Sequence, residues 1–92
     1  MKITNVRIIP APAEDQERGL AGWASFVLAD SIRIDSVAIR RTAAGAYALS
    51  YPSRTDRSGS QHPYFLPVGE KLRRQLEIEI FAALGLEQGV EP

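Results

Sequence analysis

Apolar and polar positions alternate in four short stretches of the chain, and this pattern predicts four β-strands. The first covers residues 2 to 9 and ends before Pro10, because proline cannot donate to a strand ladder. The second, at residues 20 to 28, shows the clearest alternation. A third begins at Ile32, close enough behind the second for an antiparallel hairpin, and a fourth covers residues 47 to 51.

The second and third strands carry more information than simple alternation. The positions expected to face the core are Leu20, Gly22, Ala24, Phe26 and Leu28. Trp23 falls on the other face, where we expect the helix or a partner subunit to bury it. In the third strand the apolar positions change parity between Asp35 and Ser36, which predicts a β-bulge or a strong twist there.

Residues 70 to 84 carry apolar side chains at helical spacing, so the pattern predicts an amphipathic helix. The apolar stripe consists of Leu72, Leu76, Ile80, Ala83 and Leu84. Gly69 precedes this helix, and Gly85 is expected just after its C-cap. Ile78 and Phe81 widen the apolar surface, which indicates a second covered surface such as a subunit contact.

The segments between these elements are rich in proline, glycine and charge, and they predict loops. Residues 10 to 19 form a polar loop, and residues 52 to 69 form a loop of a length that is usually functional or disordered. Within the second loop, residues 64 to 66 form either a short extra strand or an apolar anchor. The tail from residue 86 to residue 92 is expected to fray.

Strands followed by one helix predict an α+β fold, a small antiparallel sheet of about four to five strands with one C-terminal α-helix. The 92 residues form a single domain, residues 1 to 92, because a chain of this length has no room for a second core. Hydrophobic residues make up 45% of the chain and charged residues 24%, a balance that excludes a disordered or fibrous protein.

Composition also restricts the chemistry and the location. The chain has no cysteine, which excludes disulfides and thiolate metal sites. It has no apolar run near the roughly 20 residues that span a bilayer, and no apolar segment typical of a signal peptide. We therefore expect a cytoplasmic protein that makes no membrane contact.

Positive charge is concentrated in the middle of the chain. The formal net charge is zero, which by itself argues against a nucleic-acid partner. Residues 33 to 74, however, contain eight basic and three acidic residues and carry a net charge of +5, whereas the two ends together carry −5. This uneven distribution keeps nucleic acid among the possible partners.

The residue patterns of enzymes and metal sites are missing. His62 is the only histidine, and without cysteine the commonest ligands of transition metals are scarce. We interpret His62 as a loop residue whose ring caps backbone groups beside Pro63. The serines near His62 lack a nucleophile-elbow motif, and the glycines are too isolated for a phosphate loop. We expect no enzymatic activity, no metal, no cofactor and no small-molecule substrate.

Arginines of the long loop are candidates for phosphate contacts. Residues 52 to 60 place Arg54 and Arg57 among small polar donors, a composition that binds phosphate oxygens through charge-assisted bonds. The aromatic residues that flank them and are able to stack on bases are Tyr47, Tyr51, Tyr64 and Phe65. The alternative interpretation is a solvated loop in which Arg54 or Arg57 pairs with Asp56.

A second basic group lies at the start of the predicted helix. Lys71, Arg73 and Arg74 occupy its first turns, where the helix macrodipole disfavours cations. A cluster that breaks a local preference sometimes marks a functional site. The alternative explanation is ordinary pairing with Glu70 and Glu77.

Several short motifs follow one another along the chain, from the first strand into the helix. They are Ile3-Thr4-Asn5-Val6-Arg7, Ala24-Ser25-Phe26-Val27-Leu28, Gly45-x-Tyr47 leading into Pro52-Ser53-Arg54, and His62-Pro63. Their order and spacing resemble the SpoVG (stage V sporulation protein G) family. The chain departs from that pattern in a longer segment at residues 47 to 52, in a shorter stretch before His62, and in the acidic second half of the helix.

The resemblance implies a small sheet with a C-terminal helix, a homodimer, and site-tolerant DNA or RNA binding in bacterial regulators linked to septation and sporulation. The residues that match the family's loop motif are Pro52, Ser53, Arg54, His62 and Pro63. The residues that fall on its basic helix start are Lys71, Arg73 and Arg74.

Two hypotheses from different classes follow. In the first, a dimeric nucleic-acid-binding regulator contacts phosphates through Arg54, Arg57, Lys71, Arg73 and Arg74. In the second, a non-enzymatic protein-interaction module binds another protein through a strand edge or a dimer surface. The first requires basic residues on one contiguous face, whereas the second predicts scattered charge and an exposed apolar patch.

Overall fold

The computed structural model describes residues 1 to 87, which form two antiparallel sheets and two helices. The main sheet has the strand order β1-β2-β3-β4, with β1 at Ile3–Pro10, β2 at Leu20–Leu28, β3 at Ile32–Arg41 and β4 at Tyr47–Ser50. The second sheet pairs β5, Ser53–Thr55, with β6, Gln61–Pro63, and the helices are α1, Ala13–Glu17, and α2, Glu70–Glu87. The α+β class predicted from the sequence is confirmed.

Two β-bulges flank the central strand β2. Asp35 and Ser36 of β3 together lie opposite Ser25, and Ser36 has a φ of 63°. The bulge predicted from the change of parity is therefore confirmed. On the other side of β2, Asn5 has a φ of 53° at an irregularity between Thr4 and Arg7 of β1. Extra residues of this kind bend a strand and increase its local twist, so both neighbours of β2 curve.

Helix α2 packs on one face of the main sheet and forms the core with it. The most deeply buried side chains of the sheet are Phe26, Val37 and Ile39, and those of the helix are Leu76 and Ile80. Each such side chain stabilises the fold by about 2 kcal/mol when it is fully buried. The stripe predicted for the helix therefore faces the sheet.

Ala21 takes the core position predicted for Leu20. A register shift between Leu20 and Gly22 places Leu20 opposite Arg40, and Ala21 is buried in its stead. The remaining predicted positions with side chains, Ala24, Phe26 and Leu28, belong to the core. Gly22 is buried because β1 passes close to it, and a Cβ atom there would lie 2.5 Å from the carbonyl oxygen of Ile9.

Trp23 lies on the sheet face opposite α2. Its register partners are Ile9 in β1 and Ala38 in β3, and Ile9 is 63% exposed. The indole itself is half-buried. The expectation that the helix buries Trp23 is wrong, because α2 occupies the face formed by Ala24 and Phe26. Burial by a partner subunit stays a prediction.

Both predicted loops contain regular structure. The polar loop at residues 10 to 19 includes the single-turn helix α1, whose first turn carries Glu14 and Asp15 where the helix dipole favours negative charge. The long loop at residues 52 to 69 includes strands β5 and β6. Their patterns were hidden because each strand has only three residues and no buried side chain.

Helix α2 is longer than predicted. It continues to Glu87, so Gly85 lies inside the helix and not beyond its C-cap. The first two residues of the predicted frayed tail therefore belong to the helix, and residues 88 to 92 lie outside the described residues. Across residues 1 to 87, no helix has the length and apolar character needed to cross a membrane.

Candidate nucleic-acid interface

Strands β5 and β6 form a small two-stranded hairpin, which we call the arm and define as residues 53 to 63. Its register pairs Ser53 with Pro63, Arg54 with His62 and Thr55 with Gln61. The backbone N–H of Tyr64 donates to the carbonyl oxygen of Pro52 at 2.8 Å and closes the base of the arm. All six residues of the two strands are exposed, so the arm extends into solvent.

The Asp56 carboxylate organises the closed end of the arm. Its Oδ1 atom accepts hydrogen bonds from the Ser58 N–H at 2.9 Å, the Ser58 hydroxyl at 2.7 Å and the Ser60 N–H at 3.0 Å. Its Oδ2 atom lies 2.6 Å from Nε2 of His62. The His62 contact, followed by the Ser58 and Ser60 contacts, lowers the pKa of Asp56 from 3.8 to about 2. Both oxygens of the Asp56 carboxylate therefore bind groups within the arm.

This arrangement corrects two interpretations of the sequence. Asp56 pairs with His62, six residues away, and not with Arg54 or Arg57, because the hairpin register brings the imidazole to the carboxylate. The His62 ring therefore binds a side chain rather than capping backbone groups. Both arginines are exposed, and within residues 1 to 87 neither forms an ion pair.

The contact of Asp56 with a serine and a histidine is not a catalytic triad. In a triad the histidine bonds to the nucleophile and the carboxylate bonds to the far side of the imidazole. Here Ser58 and His62 both bond to Asp56, so the carboxylate lies between them. The group stabilises a turn and does not activate the serine.

Phe65 anchors the base of the arm to the core. Its ring packs edge-on against Phe26, with centroids 6.3 Å apart, and against Tyr51, at 5.5 Å. Of the two structures predicted for residues 64 to 66, no strand forms, and the apolar anchor is confirmed for Phe65 alone, since Tyr64 and Leu66 are exposed. The arm therefore leaves the body of the domain at a fixed point.

Tyr51 connects the arm to the beginning of α2. Burial raises the pKa of the Tyr51 hydroxyl, the Glu77 carboxylate raises it further, and the Arg73 guanidinium opposes that effect. Tyr51 also packs against the core cluster that includes Leu76 of α2. The base of the arm therefore lies beside the first half of the helix.

The basic helix start is only partly free. Glu70 accepts a hydrogen bond from Arg73 at 2.6 Å and lies 3.5 Å from the Arg74 guanidinium. These contacts lower the pKa of Glu70 and raise that of Arg73, with the Arg73 hydrogen bond as the main cause. Lys71 is exposed and forms no ion pair among the described residues. Pairing with Glu70 therefore explains why Arg73 and Arg74 occupy the helix start, but it does not explain Lys71.

Most of the aromatic residues proposed for base stacking are occupied elsewhere. Tyr47 packs against Phe81 of α2 with ring centroids 5.9 Å apart, and Tyr51 and Phe65 pack on each other. Tyr64 is 71% exposed and remains available at the base of the arm. The other three contribute to packing of the domain, and a stacking role for them stays a prediction.

The main sheet carries a basic group that the sequence analysis did not single out. Arg7 and Arg33 lie on the two strands that flank β2 and line one cleft of about 250 Å³ together with Ser25. The alternation of β2 offered a way to find this basic group. Arg7 and Arg33 pair in register with Ser25 and Val27, which lie on the sheet face away from the core.

The chain matches no protein-family model and no curated protein sequence. The resemblance to the SpoVG family therefore stays a prediction that rests on the motifs given above. The interface has to be argued from the arm, the helix start and the sheet.

Proposed function

We propose that this chain is a cytoplasmic, homodimeric nucleic-acid-binding regulator of the kind that the SpoVG resemblance implies, linked to bacterial septation or sporulation. Its phosphate contacts are Arg54, Arg57, Lys71, Arg73 and Arg74. The observation that carries the proposal is the use of the Asp56 carboxylate by His62 and two serines. Because that carboxylate is occupied, both arm arginines keep their charge available for an external anion.

The shape and composition of the arm support backbone contact. A two-stranded β-ribbon is slender enough to enter a nucleic-acid groove. The arm presents guanidinium and hydroxyl groups, which bind phosphate oxygens and carry little sequence information. Binding through these groups tolerates many sequences and weakens steeply with salt.

Exposed apolar side chains support the homodimer. Leu66 and Val68 are exposed in the segment between the arm and α2, and Val68 is 91% exposed. Ile78 projects from α2 with 69% of its surface exposed. A second copy that covers these side chains removes apolar surface from water. Light scattering at micromolar concentration is expected to give twice the mass of the chain, and a monomer as the only species would contradict the dimer.

The same apolar side chains favour a second candidate function. A non-enzymatic protein-interaction module would use Leu66, Val68 and Ile78 to bind a different protein. In that case the arm arginines are solvated and contribute nothing to binding.

A binding titration separates the two candidates. The protein is titrated into duplex DNA, single-stranded DNA and RNA at two salt concentrations, with binding followed by mobility shift. The regulator is expected to bind with an affinity that falls steeply as salt rises. Absence of binding to all three at the lower salt would contradict the regulator and favour the interaction module.

A further inference from the structure

The sheet face away from α2 carries a basic and aromatic surface that the arm does not use. We call it the open face and define it by the side chains of Arg7, Ile9, Trp23, Ser25, Val27, Arg33, Asp35 and Arg40. The register fixes this set, because Arg7 pairs with Ser25, Ile9 with Trp23, and Arg33 with Val27. Three of its members are arginines and one is acidic.

One half of the open face is suited to an oxyanion. Arg7 and Arg33 line the same cleft of about 250 Å³ from opposite sides of β2, together with Asn5, Ser25 and Val27. Two guanidinium groups, an amide and a hydroxyl supply hydrogen-bond donors of the kind that bind phosphate. The bulge at Asn5 curves β1 at this point.

The other half is apolar. Trp23 and Ile9 line a shallower depression of about 200 Å³ beside Asp35 and Ser36, and Ser25 belongs to both depressions. Trp23 and Ser25 are two residues apart on β2, which separates their side chains by about 7 Å along the strand. Ser25 is the register partner of Arg7, so the Arg7 side of the cleft lies within the reach of one nucleotide from Trp23.

We propose that the open face binds single-stranded nucleic acid, with a phosphate between Arg7 and Arg33 and the adjoining base on Trp23. Unpaired bases stack on aromatic side chains while basic groups follow the backbone. In a duplex the bases are stacked on one another, so a tryptophan on the surface of a sheet does not reach their faces. The inference rests on the proposed function, because it adds a contact for single strands to the nucleic-acid binding proposed for the arm.

Asp35 restrains this site. Its carboxylate lies 3.2 Å from Nε of Arg33, and both side chains are exposed. A phosphate that binds Arg33 competes with Asp35 for the same guanidinium. Asp35→Asn is therefore expected to strengthen single-strand binding, whereas loss of Arg33 weakens it.

Trp23 is the only tryptophan, so its fluorescence reports directly on the open face. The full chain is titrated with oligothymidylate and oligouridylate of about 12 nucleotides, a length within the usual single-strand site size, and with a duplex of equal length. We expect quenching by the single strands and much less by the duplex. A difference between the two single strands shows whether DNA or RNA is preferred.

Variants test the assigned residues by anisotropy of labelled oligothymidylate. Trp23→Ala is expected to weaken binding roughly 5- to 150-fold, the range typical of one lost base stack, whereas Trp23→Phe keeps most of the affinity. The double variant Arg7→Ala, Arg33→Ala is expected to reduce the salt slope by about 0.7, the value for one lost phosphate contact on a single strand. The double variant Lys2→Ala, Arg18→Ala removes the same charge from exposed positions outside both depressions and is the matched control.

Thermal melting confirms that each variant folds, and if Trp23→Ala does not, the arginine double and Asp35→Asn decide the question. If single strands bind without quenching Trp23, and the arginine double equals its control, the open-face site is wrong while the proposed function stands. If no nucleic acid binds, both are wrong. A Trp23 emission maximum that shifts with protein concentration alone would overturn the site in favour of a second copy on this face.

Discussion

The imidazole Nε2 atom of His62 lies 2.6 Å from the Oδ2 atom of Asp56, across the closed end of the arm. The pair forms because Arg54 and His62 are register partners, which places Asp56 within reach of the imidazole. This contact affects the proposed function indirectly. Because His62 holds the Asp56 carboxylate, that carboxylate does not neutralise Arg54 and Arg57.

The Asp56 contact predicts how the arm responds to acid. The pKa of Asp56 is about 2 in the folded arm, below its ordinary value of 3.8. A lowered pKa means that the carboxylate contributes stability above pH 3.8 and loses it as the pH falls through about 2. The amide protons of Ser58 and Ser60, which donate to Asp56, are therefore expected to keep their NMR shifts to about pH 4 and to titrate near pH 2.

Asp56→Asn is the control for that titration, because it removes the ionisable group and keeps the size of the side chain. The two amide protons should then show no acid transition of their own. A transition midpoint at or above 3.8 in the unmodified protein would show that the carboxylate is not held as described.

Phe65 is expected to fix the arm to the body of the domain. Phe65→Ala removes the edge contacts with Phe26 and Tyr51 and leaves a gap at the base of the arm. We expect a loss of about 2 kcal/mol in the free energy of unfolding, less than for a fully buried phenylalanine because Phe65 is half-buried. Urea unfolding measures the change.

Tyr64→Ala is the matched control, since Tyr64 is the next aromatic in the chain and is 71% exposed. Its effect is expected to stay within about 0.5 kcal/mol. Equal effects of the two substitutions would mean that Phe65 does not anchor the arm.

The fold was predictable wherever the apolar pattern changed visibly. The parity change between Ile34 and Val37 predicted the bulge in β3. Ile3 and Val6 show the same change of parity, so the bulge at Asn5 was open to the same argument. The arm was not predictable in this way, because its strands have three residues each and bury nothing, so no pattern marks them.

The candidate site was predictable in composition but not in its contacts. From the sequence, Arg54 and Arg57 were candidates for phosphate contacts with pairing to Asp56 as the alternative, and the choice between the two depends on the contact between Asp56 and His62. That contact joins residues six apart and exists only once the hairpin register is set. The alternation placed Trp23 on the correct face of β2. What covers the indole was not predictable, because the sequence pattern does not show on which side of the sheet α2 packs.

Glu70 is expected to limit phosphate binding at the helix start. Glu70→Gln keeps the shape of the side chain and removes the charge that holds Arg73 and Arg74. Exposed pairs of this kind are worth about 0 to 1 kcal/mol, so the affinity for duplex DNA should rise by up to about fivefold. Glu14→Gln removes an equal charge from an exposed position on α1 and should leave the affinity nearly unchanged. Equal effects of the two would exclude the helix start from the interface.

The arm arginines carry the central claim, and the salt dependence of duplex binding tests it most directly. With Arg73 and Arg74 held by Glu70, a dimer with about three effective phosphate contacts per subunit gives a slope near −5 in log K against log salt, from about −0.9 per phosphate. The double variant Arg54→Ala, Arg57→Ala removes two of these contacts per subunit, so the slope is expected to fall to about −2 across unrelated sequences. The control is Lys2→Ala, Arg18→Ala, which removes the same charge elsewhere. An affinity and slope for the arm variant equal to those of the control would contradict the account.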